Sequence, residues 1–198
     1  MQSVANVGIG FRDHTGWAVA VAVSDKPQIH DRRRVQLCDP ELPRQAYHAA
    51  AGLELDAARD LVTQVENAAA TAAAREVAAI LSDLASRGHQ VRAVGVSVGT
   101  SRVPTDLRAI LGSHPLLHAA EGELYSEALA DAAQAAGLPV VRFTNKGLLA
   151  ETAATMGCAP ADLTDTIARL GHDLGPPWAK DQKEAALAGL LALHSVKT

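Results

Sequence analysis

The sequence is poor in aromatic residues: Phe, Trp and Tyr together make up 3% of its 198 residues. Because aromatic residues are few and alanine is abundant, the core must be built mostly from Leu, Val, Ile and Ala, with helices packed close to their neighbours. Hydrophobic residues at 48% and charged residues at 20% exclude wholesale disorder. A chain of this length most simply forms one domain, and we predict a single domain over residues 1–198.

Long hydrophobic runs and cysteine clusters are also lacking. The longest apolar stretch, residues 17–23, is too short to span a bilayer. The N-terminus has no basic segment followed by an apolar run, which a signal peptide would show. Cys38 and Cys158 lie far apart with no second ligand at metal spacing, a pattern that favours free thiols in a reducing compartment. We therefore expect a cytoplasmic protein with no membrane partner.

An excess of positive charge is absent as well. The formal net charge of -4 argues against a constitutive, non-specific nucleic-acid binder. The basic run Arg32, Arg33 and Arg34, with Arg44 nearby, has no interleaved aromatic residues, so stacking on bases is unsupported. A solvated strand edge protected by charge is the favoured interpretation of this run, and a weak nucleic-acid contact through it is the alternative.

Hydrophobic periodicity predicts an α/β protein. Strands are predicted at residues 4–11, 17–23, 33–37, 91–98 and 139–143. Helices are predicted at residues 53–87, 116–136, 145–156, 161–170 and 178–194, with a short helix around Leu107. The order β-β-β-α-β-α-β-α-α predicts a meander of three strands followed by right-handed crossovers that add parallel strands. We expect a mixed five-stranded sheet flanked by helices.

Three segments carry a resemblance to a known family. The segment GIGFRDHTGWAVAV at residues 8–21 resembles the first hairpin of RuvC-type resolvases, which begin with Gly-Ile-Asp and re-enter a strand at Gly-Trp. EGELYSEALADAAQAAGLPVVRFT at residues 121–144 is similar to the helix that leads into the fifth strand of those resolvases. KDQKEAALAGLLAL at residues 180–193 resembles their C-terminal helix. The resemblance implies an RNase H-like fold (β-β-β-α-β-α-β-α) over most of the chain except residues 53–87.

The resemblance also implies a chemistry. Nucleases of this fold hold two divalent cations, Mg²⁺ or Mn²⁺, between clustered carboxylates, and hard cations require oxygen ligands. The implied positions are the first strand, the end of the fourth strand and the last helix. Gly10 and Ser97 stand at the first two positions, so two of the implied acids are missing. The nearest acid to Gly10 is Asp13, for which a turn residue bonded to its own backbone is the favoured interpretation.

The last helix does carry acids at the implied position. Asp181 and Glu184 are three residues apart and share a helix face with Ala185, Ala188 and Ala192. Such small residues let a helix approach a sheet closely, so the two acids are expected to point into a crevice. The alternative is that both are first-turn acids that the helix dipole favours.

Glu121 lies on the apolar face of its predicted helix, where a carboxylate is costly unless it is paired or bound. The structural alternative to a functional site is a buried ion pair with Arg92 or Arg102. His118 at the edge of the same face is interpreted as a structural residue.

Two hypotheses follow. The first is a diverged nuclease or phosphodiesterase with a rearranged acid set: Glu121, Asp181 and Glu184 as ligands of Mg²⁺ or Mn²⁺, with Asp13 as a further catalytic acid. The second is a non-catalytic binding or assembly module, for which the Ala-rich helix at residues 53–87 offers a homodimer surface.

A minor alternative is a serine hydrolase. Residues 95–99 read Gly-Val-Ser-Val-Gly, the nucleophile-elbow pattern, and follow a predicted strand. The elbow requires a helix directly afterwards, whereas residues 100–104 are predicted to form a loop.

Overall fold

The structure is a computed structural model that describes residues 4–99, 102–172 and 174–196. Its strands are β1 (Asn6–His14), β2 (Trp17–Ser24), β3 (Ile29–Gln36), β4 (Gln90–Ser97) and β5 (Val140–Phe143). Its helices are α1 (Ala46–Ala50), α2 (Leu55–Ser86), α3 (Leu107–Leu111), α4 (His114–Ala135), α5 (Leu148–Met156), α6 (Pro160–Leu170) and α7 (Lys180–Ser195).

The strands form one mixed sheet in the order β3-β2-β1-β4-β5. β1 pairs antiparallel with β2, as does β2 with β3, whereas β4 is parallel to both β1 and β5. The predicted five-stranded mixed sheet is therefore confirmed. β1, β4 and β5 all end at the same edge of this sheet, which we call the carboxyl edge, and β3 ends there too because it runs parallel to β1.

Helices cover both faces of the sheet, and side chains alternate between them. On β2, Ala18, Ala20 and Ala22 face the core formed with α1, α2 and α4. Residues 19, 21 and 23, all Val, face the core formed with α5, α6 and α7. Such alternation is the consequence of the two-residue period of a strand, and it places α4 and α7 on opposite faces. We refer to these as the α4 face and the α7 face.

Helix α7 lies unusually close to the sheet. Gly8 and Gly10 of β1 contact the backbone of α7 at Ala185 and Gly189, and Gly95 of β4 contacts it at Ala188. The absence of side chains on both surfaces is what allows this approach, as the small-residue face of α7 predicts. Helix α7 is consequently buried from residue 185 to 192.

Helix α2 has 32 residues and is therefore about 48 Å long, longer than the sheet that it covers. One stripe of Ala, Val, Ile and Leu side chains is buried on the α4 face, and the exposed positions mix charged and polar residues with alanines. Within the described residues, no helix combines the length and the apolar character needed to cross a membrane.

Candidate functional site at the carboxyl edge

The position of the missing first-strand acid is closed by helix α7. A Cβ atom placed on Gly10 would lie 1.9 Å from the carbonyl oxygen of Ala185 and 2.4 Å from the backbone nitrogen of Gly189, so it would clash with both atoms. These are backbone atoms in the middle of a helix and cannot move aside cheaply. An acid at residue 10 would therefore require α7 to shift away from the sheet.

The two acids of α7 are paired with basic side chains of β1. Arg12 Nε donates to Glu184 Oε2 at 2.7 Å, and both side chains are about one-fifth exposed. His14 Nε2 lies 3.1 Å from Asp181 Oδ2. Lys180 adds a longer contact to Glu184 at 3.7 Å. Both acids predicted to point into a crevice beside α7 are thus engaged by basic side chains of β1.

Asp13 differs from the sequence interpretation. It lies within β1 opposite Ala18, not in a turn, because the strand continues to His14. Its carboxylate accepts a hydrogen bond from Ser97 Oγ at the end of β4. Burial raises the pKa of the Asp13 carboxyl above its ordinary value, and this hydrogen bond opposes the rise. No described contact joins Asp13 to Asp181 or Glu184.

Ser97 is therefore a buried hydrogen-bond donor within the described structure. The nucleophile-elbow interpretation gains no support, since Val98 and Gly99 leave the strand as irregular chain and the next described helix begins at residue 107. Residues 100 and 101 of the predicted loop lie outside the described residues.

Glu121 lies on the other face of the sheet from Asp181 and Glu184. It is 4% exposed and belongs to α4. Its Oε1 accepts hydrogen bonds from the backbone N–H groups of Tyr47 and His48 at 2.8 and 3.1 Å. Its partner is therefore the start of α1, not Arg92 or Arg102. The structure does not bring the four sequence-predicted acids together: Asp181 and Glu184 adjoin the α7 face, and Glu121 caps a helix on the α4 face.

The capping role of Glu121 has a local cause. Helix α1 has five residues, and its N-cap residue, Gln45, makes no side-chain cap hydrogen bond. The first N–H groups of any helix lack intrahelical partners, and a carboxylate from a neighbouring helix satisfies them here. One turn further along α4, Tyr125 donates its hydroxyl to the carbonyl oxygen of Arg44 at 2.7 Å. Helix α4 thus fixes the whole segment from Arg44 to His48.

Three histidines surround this segment, and the sequence reasoning did not bring them together. We call His48 of α1 together with His114 and His118 of α4 the histidine cluster. One ligand nitrogen from each lies within 4.8 Å of the others. His48 Nδ1 also lies 3.3 Å from Glu121 Oε1. The signal that could have found part of it is the spacing of His114, His118 and Glu121, which puts all three on one side of α4.

A groove adjoins the histidine cluster at the carboxyl edge. Its volume is about 690 Å³, and Thr15, Arg44 and His48 are among the residues that line it. Thr15 is in the turn between β1 and β2, and His48 is in α1. The groove therefore connects the end of β1 with the histidine cluster.

The basic run on β3 is largely engaged within the protein. Arg32 donates to the carbonyl oxygens of Gly175 and Pro177. Arg33 is paired with Asp31 and with Asp83 of α2, and these carboxylates raise the pKa of its guanidinium. Of the three arginines predicted to contact nucleic acid, these two are therefore held by intramolecular hydrogen bonds and ion pairs.

Arg34 differs from its two neighbours because it is exposed and lies over an aromatic ring. Its Cζ is 3.7 Å from the ring centroid of Trp17. His14 stacks on the same indole at 4.1 Å with an interplanar angle of 13°. The aromatic partner that the sequence lacks beside Arg34 is thus supplied by the neighbouring strand.

Other cations at the carboxyl edge have no ion-pair partner among the described residues. Arg44 precedes α1, Arg102 follows β4, Lys146 follows β5, and Lys183 is in the first turn of α7. Topology places all four at the edge where the strands end, although the chain as a whole carries a net charge of -4. Ligands of open α/β sheets commonly bind at this edge.

Comparison with solved structures shows which fold this is. Thermus thermophilus RuvC in complex with a Holliday junction substrate matches with a TM-score of 0.52 and 15% identity, covering 96% of this chain and 92% of that one. A second Thermus thermophilus RuvC structure matches with a TM-score of 0.53 and 15% identity, covering 95% of this chain and 92% of that one. This chain has the RNase H-like fold of the RuvC type. No protein-family model and no curated protein matches the sequence.

The RuvC-type fold sharpens the meaning of Gly10. A pair of divalent cations would have to sit between β1 and the start of α7, where the resemblance implies clustered carboxylates. Here that space holds the α7 backbone against Gly10, and the remaining acids are paired with Arg12 and His14. The residues present do not fit a carboxylate-held Mg²⁺ or Mn²⁺ pair at this position.

Proposed function

We propose that this RuvC-type domain binds nucleic acid along the carboxyl edge of its sheet and does not cleave it through a carboxylate-held metal pair. The observation that carries the proposal is the pairing of Arg12 with Glu184 and of His14 with Asp181, next to a Gly10 that cannot carry an acid. The proposal favours the binding module over the diverged nuclease with Glu121, Asp181, Glu184 and Asp13.

The binding half of the proposal is supported by charge and by the fold. Arg44, Arg102, Lys146 and Lys183 have no described ion-pair partner and lie at one edge. Phosphate contacts from such side chains supply most of the sequence-independent affinity for nucleic acid. Arg34 above Trp17 adds a planar group on which an unpaired base can stack. The structurally similar RuvC is described as bound to a Holliday junction substrate.

Fluorescence anisotropy with a labelled four-way DNA junction tests this proposal, with duplex and single-stranded DNA of the same sequence as comparisons. We expect binding that weakens steeply as salt rises. The Lys183→Glu and Lys146→Glu variants are each expected to bind several-fold more weakly, with the slope of log affinity against log salt reduced by about 1. The matched control is Arg75→Glu, the same charge change on an exposed position of α2.

The same mixtures incubated with Mg²⁺ or Mn²⁺ test whether the domain cleaves the DNA that it binds. We expect no cleavage above a chelator-treated control. Metal-dependent cleavage that disappears in a Glu184→Gln variant would restore the nuclease hypothesis. If Arg75→Glu weakens binding as much as Lys183→Glu does, the carboxyl edge is not the binding surface.

A further inference from the structure

The histidine cluster has the composition and spacing of a transition-metal site. The ring centroids of His48 and His118 are 4.8 Å apart, those of His114 and His118 are 4.5 Å apart, and those of His48 and His114 are 5.7 Å apart. His114 and His118 are one helical turn apart on α4, so their rings project from the same side. His48 is brought against them by α1.

Glu121 connects the cluster to the core. A carboxylate can only accept in its contact with His48 Nδ1, so Nδ1 carries the proton and Nε2 is the nitrogen left free for a metal. Metal-binding histidines typically donate their second ring N–H to a carboxylate or a carbonyl in this way. The arrangement thus fixes both the tautomer and the orientation of the His48 ring.

The second carboxylate oxygen of Glu121 is a further reason to expect a cation at this cluster. Oε2 is buried and has no hydrogen-bond partner among the residues that the structure describes, whereas Oε1 has three. A buried carboxylate without full compensation is costly. No Lys or Arg among the described residues pairs with Glu121, and its side-chain partner is the imidazole of His48. A divalent ion on Nε2 of His48 would place a compensating positive charge near this carboxylate.

We propose that His48, His114 and His118 bind a single Zn²⁺ ion, with Glu121 as the carboxylate that orients His48. Three imidazole nitrogens suit zinc and not Mg²⁺, which requires oxygen ligands. Zinc–nitrogen bonds of about 2.0–2.1 Å in a tetrahedron require nitrogens about 3.3 Å apart, so small rotations of the exposed His114 and His118 rings complete the site. This inference does not depend on nucleic-acid binding.

The coordination sphere would not be closed by the protein. Three protein ligands leave a fourth tetrahedral position, and His114 and His118 are both exposed to solvent. His48 also lines the groove beside Arg44, a cation with no described ion-pair partner. The fourth position is therefore open to water or to an anion that enters the groove.

Isothermal titration of the chelator-treated full chain with Zn²⁺ tests the proposal. We expect one ion per chain, with affinity that falls in acid because protons compete with the metal for the imidazole nitrogens. His114→Ala and His118→Ala alter exposed side chains and should leave the fold intact while weakening zinc binding by more than about 100-fold. The matched control is His172→Ala, an exposed histidine after α6, which should change nothing.

A second variant isolates the role of Glu121. Glu121→Gln keeps an oxygen that can accept from the N–H groups of α1 but removes the charge, and it is expected to weaken zinc binding by about 10- to 100-fold. Binding of Co²⁺ in place of Zn²⁺ should give the visible absorption of a four-coordinate site, and the His118→Ala variant should lack it. Zinc affinity that is the same in His118→Ala, His172→Ala and the unaltered chain, or no zinc binding at all, would overturn the proposal.

Discussion

The two faces of the sheet differ in how they treat polar groups next to the core. On the α7 face, glycines and alanines bring a helix backbone onto β1, and each acid at the edge has a basic partner. On the α4 face, the buried carboxylate of Glu121 has one oxygen without a hydrogen-bond partner in the described part of the chain, and three histidines lie beside it. The acids on the face implied by the RuvC resemblance are therefore paired within the protein, whereas the groups that still lack a partner lie on the opposite face.

The largest expected loss of stability follows from placing an acid at residue 10, beneath α7. We expect Gly10→Asp to yield no folded protein and Gly10→Ala to lower the free energy of unfolding by at least about 3 kcal/mol, because the new side chain meets the α7 backbone. Urea denaturation followed by circular dichroism measures this. Gly122→Ala on the open surface of α4 is the control and should stabilise by up to about 1 kcal/mol. A soluble, stable Gly10→Asp protein would show that α7 can move away from the sheet.

A smaller effect is expected on the α4 face. Glu121→Ala removes the acceptor of the Tyr47 and His48 N–H groups and should cost about 1–3 kcal/mol in unfolding free energy. Glu121→Gln keeps an acceptor and should cost clearly less in metal-free buffer. Equal losses for the two variants would mean that the charge of Glu121, and not its capping hydrogen bonds, stabilises α1.

The smallest effect is expected at Asp13, where it depends on pH. Because burial raises the pKa of Asp13 in the folded state, the folded chain holds this proton more tightly than the unfolded chain does. Its contribution to stability is therefore greatest at low pH and is lost as pH rises from the ordinary value of 3.8 through the raised pKa. Asp13→Asn should remove this loss, so thermal midpoints of the two proteins should diverge in favour of the variant as pH increases.

Much of the fold could be predicted from the sequence because its elements carry strong periodic patterns. The strand predicted at residues 17–23 and the small-residue face of α7 depend on neighbours in the chain, and both predictions are confirmed. The five-residue helix α1 escaped prediction because it is short and has no capping side chain of its own. Its start is fixed by Glu121, which lies far away in the chain.

The candidate site was less predictable, because its partners come from separate elements. The helical plot indicates correctly that Glu121 faces inward, yet nothing local indicates that it meets His48. The pairing of Arg12 with Glu184 depends on the register of α7 against β1. Predictions of a single domain, a cytoplasmic location and a homodimer through α2 depend on properties of the whole protein and stay predictions.

The stack of Arg34, Trp17 and His14 gives the carboxyl edge an optical signal of its own. Because Arg34 and His14 both contact the indole, a ligand that displaces either side chain should change the fluorescence of Trp17. The other tryptophan, Trp178, donates its ring N–H to the carbonyl oxygen of Ile167 and provides a steady background. Occupancy of this edge can therefore be followed without any label.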